Sequence, residues 1–262
     1  MPLKIRALLL DLEGTLYEAG RPVPGAAEAL AKLTERGIPH GFVTNTTSRP
    51  RSRIAAELSA MGISADPGRI FTAPLAARRY LASRGLTRCH LMVAPAVLED
   101  FAGIEHDGSS PQAVVVGDVG EGFSFPAMNE AFRLLMAGVP LVTLARNRYY
   151  LGTGGLVLDQ GPFVAALEYA ARCEATLVGK PAREFFAPAL EMLGVSPSDA
   201  PGVSVVGDDL EVDVGGAQAC GMRGVLVRTG KYRRADAERS AVRPDAVLDS
   251  AAGLPGLLSS GD

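Results

Sequence analysis

Cysteine, unbalanced charge and long apolar runs are all scarce in this chain of 262 residues. The three cysteines, Cys89, Cys173 and Cys220, are odd in number and far apart, so they offer neither a disulfide framework nor a zinc-binding pattern. The formal net charge is −3 with both signs scattered, and no basic block favours a nucleic acid or an anionic membrane. No stretch approaches the roughly 20 apolar residues that a membrane-spanning helix needs.

The N-terminal region also lacks a long apolar run. Lys4 and Arg6 precede an apolar stretch of about four residues, which is too short for the apolar part of a signal peptide. We therefore expect a reduced, cytoplasmic protein that binds neither nucleic acid nor membrane. The hydrophobic fraction of 47% is ample for a packed core, and the length suggests one large domain or two modest ones.

Apolar runs alternate with amphipathic stretches along the chain. Buried strands are predicted at residues 7–10 and 40–43, with helices at 26–36 and 51–61 after them. This order predicts an α/β fold built on a doubly wound parallel sheet. Predicted strands and helices continue to alternate from about residue 86 to 175, but their residues differ from those of the first stretch. That stretch suggests a separate α/β module.

The first predicted strand ends in a carboxylate. Asp11 follows the apolar run directly, and Glu13 lies two residues further on. Ligands and chemistry gather at the carboxyl ends of strands in open α/β sheets. Gly14 and Thr15 can turn backbone N–H groups toward an anion. The alternative is a strand that ends in a solvated aspartate followed by an ordinary turn.

A second group of carboxylates follows the strand predicted at 203–206. Asp208 and Asp209 come at its end, and Asp213 lies five residues after Asp208. Clustered carboxylates repel one another unless a cation intervenes, and oxygen ligands of this kind suit Mg²⁺. The alternative is an N-capping aspartate at a solvated helix start. One cap does not require three acids, so we favour the cation site.

Other polar residues follow two further strands. Thr44 and Asn45 come after the strand at 40–43, where they can bind phosphate or simply precede the cap of the next helix. Lys180 follows a strand predicted at 175–178 and precedes a helix. A lone lysine is commonly a solvated surface charge, but one at such a position is a good candidate for holding an anion.

Taken in chain order, these strand ends resemble the four motifs of the haloacid dehalogenase superfamily, most of whose members are phosphatases. The usual first motif, Asp-x-Asp-Gly-Thr, reads Asp-Leu-Glu-Gly-Thr here from Asp11 to Thr15. The second is Thr44, the third is Lys180, and the fourth runs from Gly207-Asp208 to Asp213. The resemblance covers nearly the whole chain.

The spacing resembles the type IIA branch, in which a large α/β cap is inserted between the second and third motifs. This branch contains p-nitrophenyl phosphatase-like and sugar or ribonucleotide monophosphatase-like proteins. The resemblance implies a Rossmann-like core domain over residues 1–77 and 178–262 and an α/β cap domain over residues 78–177.

Four short stretches resemble a particular subgroup of this branch. They are residues 43–47, 147–150, 178–181 and 229–232. The subgroup contains phospholysine phosphohistidine inorganic pyrophosphate phosphatase and its hydrolase-domain-containing relatives. Caps of this branch often mediate dimers, so the resemblance also implies a possible homodimer.

The resemblance implies a Mg²⁺-dependent phosphatase in which Asp11 attacks phosphorus and forms an aspartyl-phosphate. The implied metal ligands are Asp11, the backbone carbonyl of Glu13 and Asp208, while Asp209 or Asp213 contributes through water or orients the site. Lys180 and the metal neutralise the phosphoryl oxygens. The implied phosphate-binding residues are Gly14, Thr15, Thr44, Asn45 and Lys180.

Glu13 departs from the family pattern, which normally has aspartate at this position as the general acid/base. The longer side chain moves the proton by roughly one bond length, and general acid/base catalysis contributes about 10²–10⁴-fold. An alternative hypothesis is therefore a low-turnover binding or regulatory protein with this fold. A phosphotransferase that uses the same site is a further variant.

The substrate is expected to be a small phosphorylated metabolite, selected by loops of the cap. Loops are predicted at residues 117–125 and 146–155, and the candidate substrate contacts lie in 117–125 and 146–150. Within the second, Arg146, Asn147 and Arg148 are candidate contacts, because an arginine there can meet an anionic leaving group. The alternative for Arg146 and Arg148 is an ordinary solvent-facing charge.

Overall fold

The computed structural model of the chain describes residues 5–152 and 154–258. The ends of the predicted core domain, residues 1–4 and 259–262, lie outside this range. The strands are β1 Ala7–Asp11, β2 Tyr17–Glu18, β3 Arg21–Pro22, β4 His40–Thr44, β5 Ile70–Thr72, β6 Arg88–Met92, β7 Glu105–His106, β8 Ala113–Val116, β9 Leu141–Thr143, β10 Tyr149–Gly152, β11 Gly155–Leu158, β12 Thr176–Leu177, β13 Val203–Gly207, β14 Arg223–Val227 and β15 Ala246–Leu248. The α-helices are α1 Ala26–Glu35, α2 Arg51–Ala60, α3 Ala73–Ser83, α4 Phe125–Met136, α5 Gln160–Ala171, α6 Arg183–Met192, α7 Gly216–Ala219, α8 Arg234–Arg239 and α9 Leu254–Leu257.

The chain divides into two compact units. The first contains the chain up to Thr44, Arg51–Phe71 and the chain from Lys180 onward, and the second contains Asn45–Pro50 and Thr72–Gly179. The sequence-based boundaries were at 77/78 and 177/178, so these divisions fall a few residues away from them. The assignment of the units as core and cap stays a prediction.

The first unit is built on a sheet in the order β15-β14-β13-β1-β4-β5. β1 pairs in parallel with β13 on one side and with β4 on the other, and β13–β14 and β14–β15 are also parallel. The strand order reverses at β1, and ligands bind at such switch points, beyond the carboxyl ends of the strands. This topology confirms the α/β fold with a doubly wound parallel sheet.

The core of the first unit forms around the fully buried strand β1 and the helix α1. The helix buries Ala26, Ala29, Leu30 and Leu33, a spacing that places them on one face. Gly37, just beyond the helix, adopts a positive φ of 65°, a conformation that glycine reaches without strain. Burial of this apolar surface fixes β1, and therefore the position of Asp11 at its carboxyl end.

The second unit contains its own parallel sheet in the order β12-β9-β8-β6-β7. Helices α4 and α5 pack against each other, and α4 contacts β8. Their buried apolar residues share one cluster: Met92, Val114, Val116, Ala131, Leu135, Leu141, Val164, Leu167 and Ala175. The second unit is therefore an α/β layer with its own core, in agreement with the strands and helices that the sequence predicts there.

The segment predicted as a loop at 146–155 is partly a β-hairpin, so that prediction was wrong. β10 and β11 pair antiparallel, with Tyr149 opposite Leu158 and Tyr150 opposite Val157. The pattern was missed because both strands are short and their apolar residues do not alternate with polar ones. In the part of the chain that the structure describes, no helix has the length and apolar character to cross a membrane.

Candidate active site

Asp11 lies at the carboxyl end of β1, where the backbone of Asp11 pairs with Val43 of β4. Its side chain is buried, and its two carboxylate oxygens have different partners. The Thr15 hydroxyl donates to Oδ2 at 3.2 Å, and the Lys180 ammonium donates to Oδ1 at 2.5 Å. The two contacts fix the orientation of the carboxylate in the first unit.

Lys180 joins two carboxylates that are far apart in sequence. Its ammonium group also donates to Asp213 Oδ1 at 2.7 Å, and all three side chains are buried. Burial would lower the pKa of the Lys180 ammonium, but the carboxylates of Asp11 and Asp213 outweigh burial and raise it. Lys180 is therefore held as a cation between Asp11 and Asp213.

Asp213 is carried by a π-helical turn, Leu210–Gly215, which follows β13. Its second oxygen, Oδ2, accepts a hydrogen bond from the Asp209 backbone N–H at 3.3 Å. A Cβ atom on Gly207 would overlap the Asp213 carboxylate, so the glycine leaves the space that this side chain occupies. The glycine of the fourth motif is thus explained sterically, because a side chain at position 207 would occupy the space of the Asp213 carboxylate.

Asp208 lies between two glycines with positive φ, Gly14 at 86° and Gly230 at 59°. A Cβ atom on either glycine would overlap the Asp208 carboxylate. The backbone N–H of Lys231 donates to Asp208 Oδ2 at 2.6 Å, and the Thr229 hydroxyl donates to the Gly14 carbonyl at 2.5 Å. The 229–231 loop therefore holds Asp208 against the first motif.

The 229–231 loop was not among the sequence-predicted site residues, although its resemblance to the subgroup pattern was noted. Its backbone N–H groups, rather than its side chains, make two of the contacts: Lys231 to Asp208 and Gly230 to Glu18 Oε1 at 2.5 Å. Backbone contacts leave little trace in residue identity. The available signal was a Thr-Gly-Lys turn directly after a strand of the same sheet.

Asp11, Asp208 and Asp213 form the acidic cluster. Each offers a carboxylate oxygen within 4.8 Å of the others, and together they are the described group that could hold a metal ion. Burial raises the pKa of Asp208 and the Asp11 carboxylate raises it further; burial also raises the pKa of Asp213, against the opposing effect of Lys180. The three carboxylates outnumber the two ammonium groups that act on them, those of Lys180 and Lys231, so the donor set fits a hard divalent cation with oxygen ligands.

Asp209 and Glu13 lie outside this cluster. The Asp209 carboxylate caps the following turn by accepting from the Val212 backbone N–H at 3.1 Å, and its Oδ2 lies 3.5 Å from Lys231 Nζ. The Glu13 side chain is exposed, and its Oε1 accepts from the Ala19 backbone N–H at 3.1 Å. The predicted roles of Asp209 at the metal and of Glu13 in proton transfer stay predictions.

Thr44 and Asn45 fall in different units. Thr44 ends β4 and is buried in the first unit. Asn45 belongs to the second unit, where its side-chain oxygen lies close to the backbone of Gly179. The predicted phosphate-binding roles of Thr44 and Asn45 stay predictions.

Arg146 has strong partners within the second unit. Its guanidinium pairs with both carboxylate oxygens of Glu168 and also donates to the Ala175 carbonyl at 3.2 Å. Such a bidentate pair orients the arginine toward Glu168, which favours a structural role. The Asn147 carbonyl accepts from the Gly161 backbone N–H at 3.0 Å, and the exposed Arg148 lies near the Tyr149 ring. Substrate contact by the three residues stays a prediction.

Two family models match this chain. A haloacid dehalogenase-like hydrolase model matches residues 8–105, and a HAD-hydrolase-like model matches residues 177–254. The chain is 44% identical over 235 residues to haloacid dehalogenase-like hydrolase domain-containing protein 2 of Bos taurus, covering 90% of this chain and 88% of that protein. The chain belongs to the haloacid dehalogenase-like hydrolases.

Other members of this family resemble the chain over nearly its full length. Phospholysine phosphohistidine inorganic pyrophosphate phosphatase of Danio rerio is 42% identical over 251 residues, covering 94% of this chain and 91% of that protein. The 4-nitrophenylphosphatase of Thermotoga maritima superposes with a TM-score of 0.89 at 26% identity, with 97% of each chain covered.

NagD of Escherichia coli shares the fold with a TM-score of 0.87 at 22% identity, covering 95% of this chain and 97% of that chain. These findings confirm the resemblance to the type IIA branch. The relatives are named for hydrolytic enzymes, so the low-turnover alternative is not favoured.

Proposed function

We propose that this hydrolase is a Mg²⁺-dependent phosphatase that acts on a small phosphorylated metabolite through an aspartyl-phosphate on Asp11. The observation that carries the proposal is the buried contact of Lys180 with both Asp11 and Asp213, beside Asp208. This arrangement holds a carboxylate nucleophile next to a fixed positive charge. Phosphoryl transfer needs little more from a protein than such positioning and charge.

Asp11 is the proposed nucleophile because it is the only member of the acidic cluster that contacts both Thr15 and Lys180. In the first step a carboxylate oxygen of Asp11 bonds to phosphorus, and the bond from phosphorus to the leaving-group oxygen breaks. In the second step a water oxygen bonds to phosphorus, and the Asp11–phosphorus bond breaks. Thr15 and Lys180 keep the carboxylate oriented through both steps.

Glu13 is the proposed general acid/base. It gives its proton to the leaving-group oxygen in the first step and takes a proton from water in the second. Its carboxylate is anchored by the Ala19 backbone N–H, which belongs to the turn between β2 and β3. That anchor compensates in part for the extra methylene of glutamate, because it fixes a side chain that would otherwise be mobile in solvent.

Asp11 and Asp208, with the Glu13 carbonyl, would hold the magnesium ion. Asp213 is carried on the turn after β13 and accepts from the same Lys180 ammonium that contacts Asp11, so we assign Asp213 to positioning Lys180. The metal, when bound, supplies positive charge that stabilises the phosphoryl oxygens. Lys180 supplies the remaining positive charge from the protein.

The proposed substrate class follows the relatives that the chain resembles. One of them is named for phospholysine, phosphohistidine and inorganic pyrophosphate, and another for 4-nitrophenyl phosphate. The first test is therefore phosphate release from p-nitrophenyl phosphate, a phosphoramidate and pyrophosphate, each with Mg²⁺ and with EDTA. We expect turnover that depends on Mg²⁺, and the fastest of the three, an ester, an amide or an anhydride, defines the substrate class.

Asp11→Asn is the decisive variant, and Asp199→Asn is its control. Both remove one carboxylate from the first unit, but the Asp199 side chain is about half exposed and pairs with Arg6 away from the acidic cluster. We expect Asp11→Asn to abolish phosphate release and Asp199→Asn to leave it unchanged. Equal activity of Asp11→Asn and the parent chain would show that Asp11 is not the nucleophile. Metal binding without turnover in the parent chain would favour a binding role.

A further inference from the structure

A cavity in the first unit shares none of its lining residues with the acidic cluster. It has a volume of about 610 Å³, which is within the range of small-molecule sites. Its apolar lining includes Leu210, Leu226, Tyr232, Val242 and Val247. An apolar surface of this kind accommodates the body of an organic ligand better than a hydrated ion.

The charged residues of this cavity are mostly cationic. Arg228, Arg234 and Arg243 line it, against a single acid, Glu238. Asp249, which is outside the lining, pairs with Arg228, so three positive charges against two negative ones leave a local excess of one, in a chain whose formal net charge is −3.

The present partners of these arginines are weak competitors for a ligand anion. Arg228 pairs with Asp249 at 2.9 Å and Arg234 with Glu238 at 2.8 Å, and both pairs are solvent-exposed. Exposed ion pairs of this kind contribute little to stability because water and salt screen them. Arg243 donates to the carbonyls of Ser240 and Val242, which are neutral groups. Arg243, whose present partners are neutral, can form a charge-assisted hydrogen bond with a carboxylate, phosphate or sulfonate.

We infer that this cavity is a binding site for a compact organic anion with a planar apolar body, separate from the acidic cluster. The apolar lining would take the body, and Arg228 and Arg243 would take the anionic group. Tyr232 adds an aromatic ring that can pack against a planar ligand. This site goes beyond the proposed phosphatase reaction and does not require it.

Two lining residues connect the cavity to the acidic cluster through the chain. Leu210 directly follows Asp209 and begins the turn that carries Asp213. Tyr232 directly follows Lys231, whose backbone N–H donates to Asp208. A ligand that shifts either residue acts on the support of the cluster, so we expect occupancy to change the Mg²⁺ dependence of phosphate release.

The test uses 1-naphthalenesulfonate as the probe and its neutral analogue, 1-naphthalenemethanol, as the comparison. The chain contains no tryptophan, so naphthalene fluorescence can be read at wavelengths longer than the emission of its six tyrosines. We expect one saturable sulfonate site per chain and binding of the alcohol weaker by about tenfold or more, the effect of one lost charge-assisted contact. Absence of saturable sulfonate binding would overturn the inference.

Variants in α8 locate the site. Ala237 lines the cavity, whereas Ala235 lies on the same helix, is exposed and does not line it. We expect Ala237→Phe to abolish sulfonate binding and Ala235→Phe to leave it unchanged. Similarly, Arg243→Gln should weaken binding about tenfold, and Arg239→Gln should not. Equal affinities within either pair would place the probe elsewhere and overturn the inference.

Competition separates this site from the acidic cluster. A sulfonate that excess inorganic phosphate displaces and that binds Ala237→Phe as tightly as the parent chain would occupy the phosphatase site, and the inference would be wrong. The titration needs no turnover, and we expect Asp11→Asn to bind the probe as the parent chain does. A chain that binds the sulfonate but releases no phosphate would therefore refute the proposed function alone.

Discussion

The Asp208 carboxylate occupies the space that a side chain on Gly14 would need. Gly14 also has a positive φ of 86°, a conformation that other residues adopt only with strain. The first and fourth motifs are therefore in direct contact, and the glycine of the first motif serves two purposes. It permits the turn after Asp11, and it admits an acid that is about two hundred residues away in the sequence.

Gly14→Ala tests this contact, and Gly20→Ala is the matched control. Both glycines have positive φ, so both alanine variants should lose about 1–2 kcal/mol of stability from backbone strain. Nothing lies near a Cβ on Gly20, whereas a Cβ on Gly14 would displace Asp208. We expect phosphate release to fall by at least about tenfold in Gly14→Ala only. Urea unfolding and p-nitrophenyl phosphate turnover measure the two effects, and equal turnover in both variants would contradict the steric account.

Lys180→Met tests the buried ion network. Removal of the ammonium leaves Asp11 and Asp213 buried without their common partner, a change that costs about 3–5 kcal/mol. The free energy of unfolding from urea titration measures it, with Lys32→Met on the exposed surface of α1 as the control. We expect the double variant Lys180→Met/Asp213→Asn to lose less than the sum of the single variants, because one unpaired charge is removed. Additive losses would contradict the network.

Glu13→Gln tests the proposed general acid/base. Glutamine keeps the oxygen that accepts from the Ala19 N–H but cannot exchange a proton. We expect kcat for p-nitrophenyl phosphate to fall by about 10²–10⁴-fold, while the Mg²⁺ concentration for half-maximal rate is unchanged. The second result follows because only the backbone carbonyl of Glu13 is assigned to the metal. An unchanged kcat would assign the proton transfer to another group.

His90 makes the second unit sensitive to acid. Its side chain is buried, its Nδ1 lacks a hydrogen-bond partner among the described residues, and Glu130 Oε1 lies 3.8 Å away. Burial lowers the pKa of His90 below 6.5, and the Glu130 carboxylate opposes this only in part. As the pH falls through 6.5, the unfolded chain therefore binds a proton at His90 before the folded chain does. The free energy of unfolding then decreases with falling pH, by up to about 1.4 kcal/mol per pH unit.

His90→Leu should make stability less dependent on pH between about 7 and 5, because the titrating group is gone. Glu130→Gln should have the opposite effect, since removal of the carboxylate lowers the pKa of His90 further. Urea unfolding across this pH range measures both. The same pH dependence in His90→Leu and the parent chain would show that the protonation of His90 is not the cause.

Arg146 and Arg148 are expected to differ in their roles. Arg146→Ala breaks the contacts with Glu168 and Ala175, so we expect a loss of stability of about 1–3 kcal/mol. Arg148→Ala should leave stability unchanged, and if the proposed substrate contact exists it should raise KM for an anionic substrate. Thermal unfolding and steady-state kinetics separate these outcomes. Loss of stability in both variants would contradict the assignment of the structural role to Arg146 alone.

The α/β class could be predicted from the sequence because buried strands leave marks in residue identity, and the strand-end acids were selected as candidate site residues by the same marks. Apolar runs mark the buried strands, and Asp11 and Asp208 follow such runs directly. The β10–β11 hairpin was missed because its apolar residues do not alternate with polar ones. The role of the 229–231 loop was missed because Lys231 holds Asp208 through its backbone, which any residue except proline can do.

The sequence also did not decide which of Asp209 and Asp213 belongs to the acidic cluster. Both acids follow the same strand, and either spacing from Asp208 suited a metal site. Only the three-dimensional contacts separate them: Asp213 accepts from the Lys180 ammonium, and Asp209 caps the next turn. Which acid turns inward depends on the π-helical turn at Leu210–Gly215, whose geometry the sequence pattern did not predict.

Trapping of the covalent intermediate tests the central claim most directly. The chain is mixed with p-nitrophenyl phosphate and Mg²⁺, quenched with borohydride, which reduces an acyl phosphate to an alcohol, and digested for mass spectrometry. We predict that the reduced residue is Asp11, that it forms only with substrate and Mg²⁺, and that Asp11→Asn yields none. Continued turnover with no reduction at Asp11, or with reduction at another carboxylate, would contradict the account.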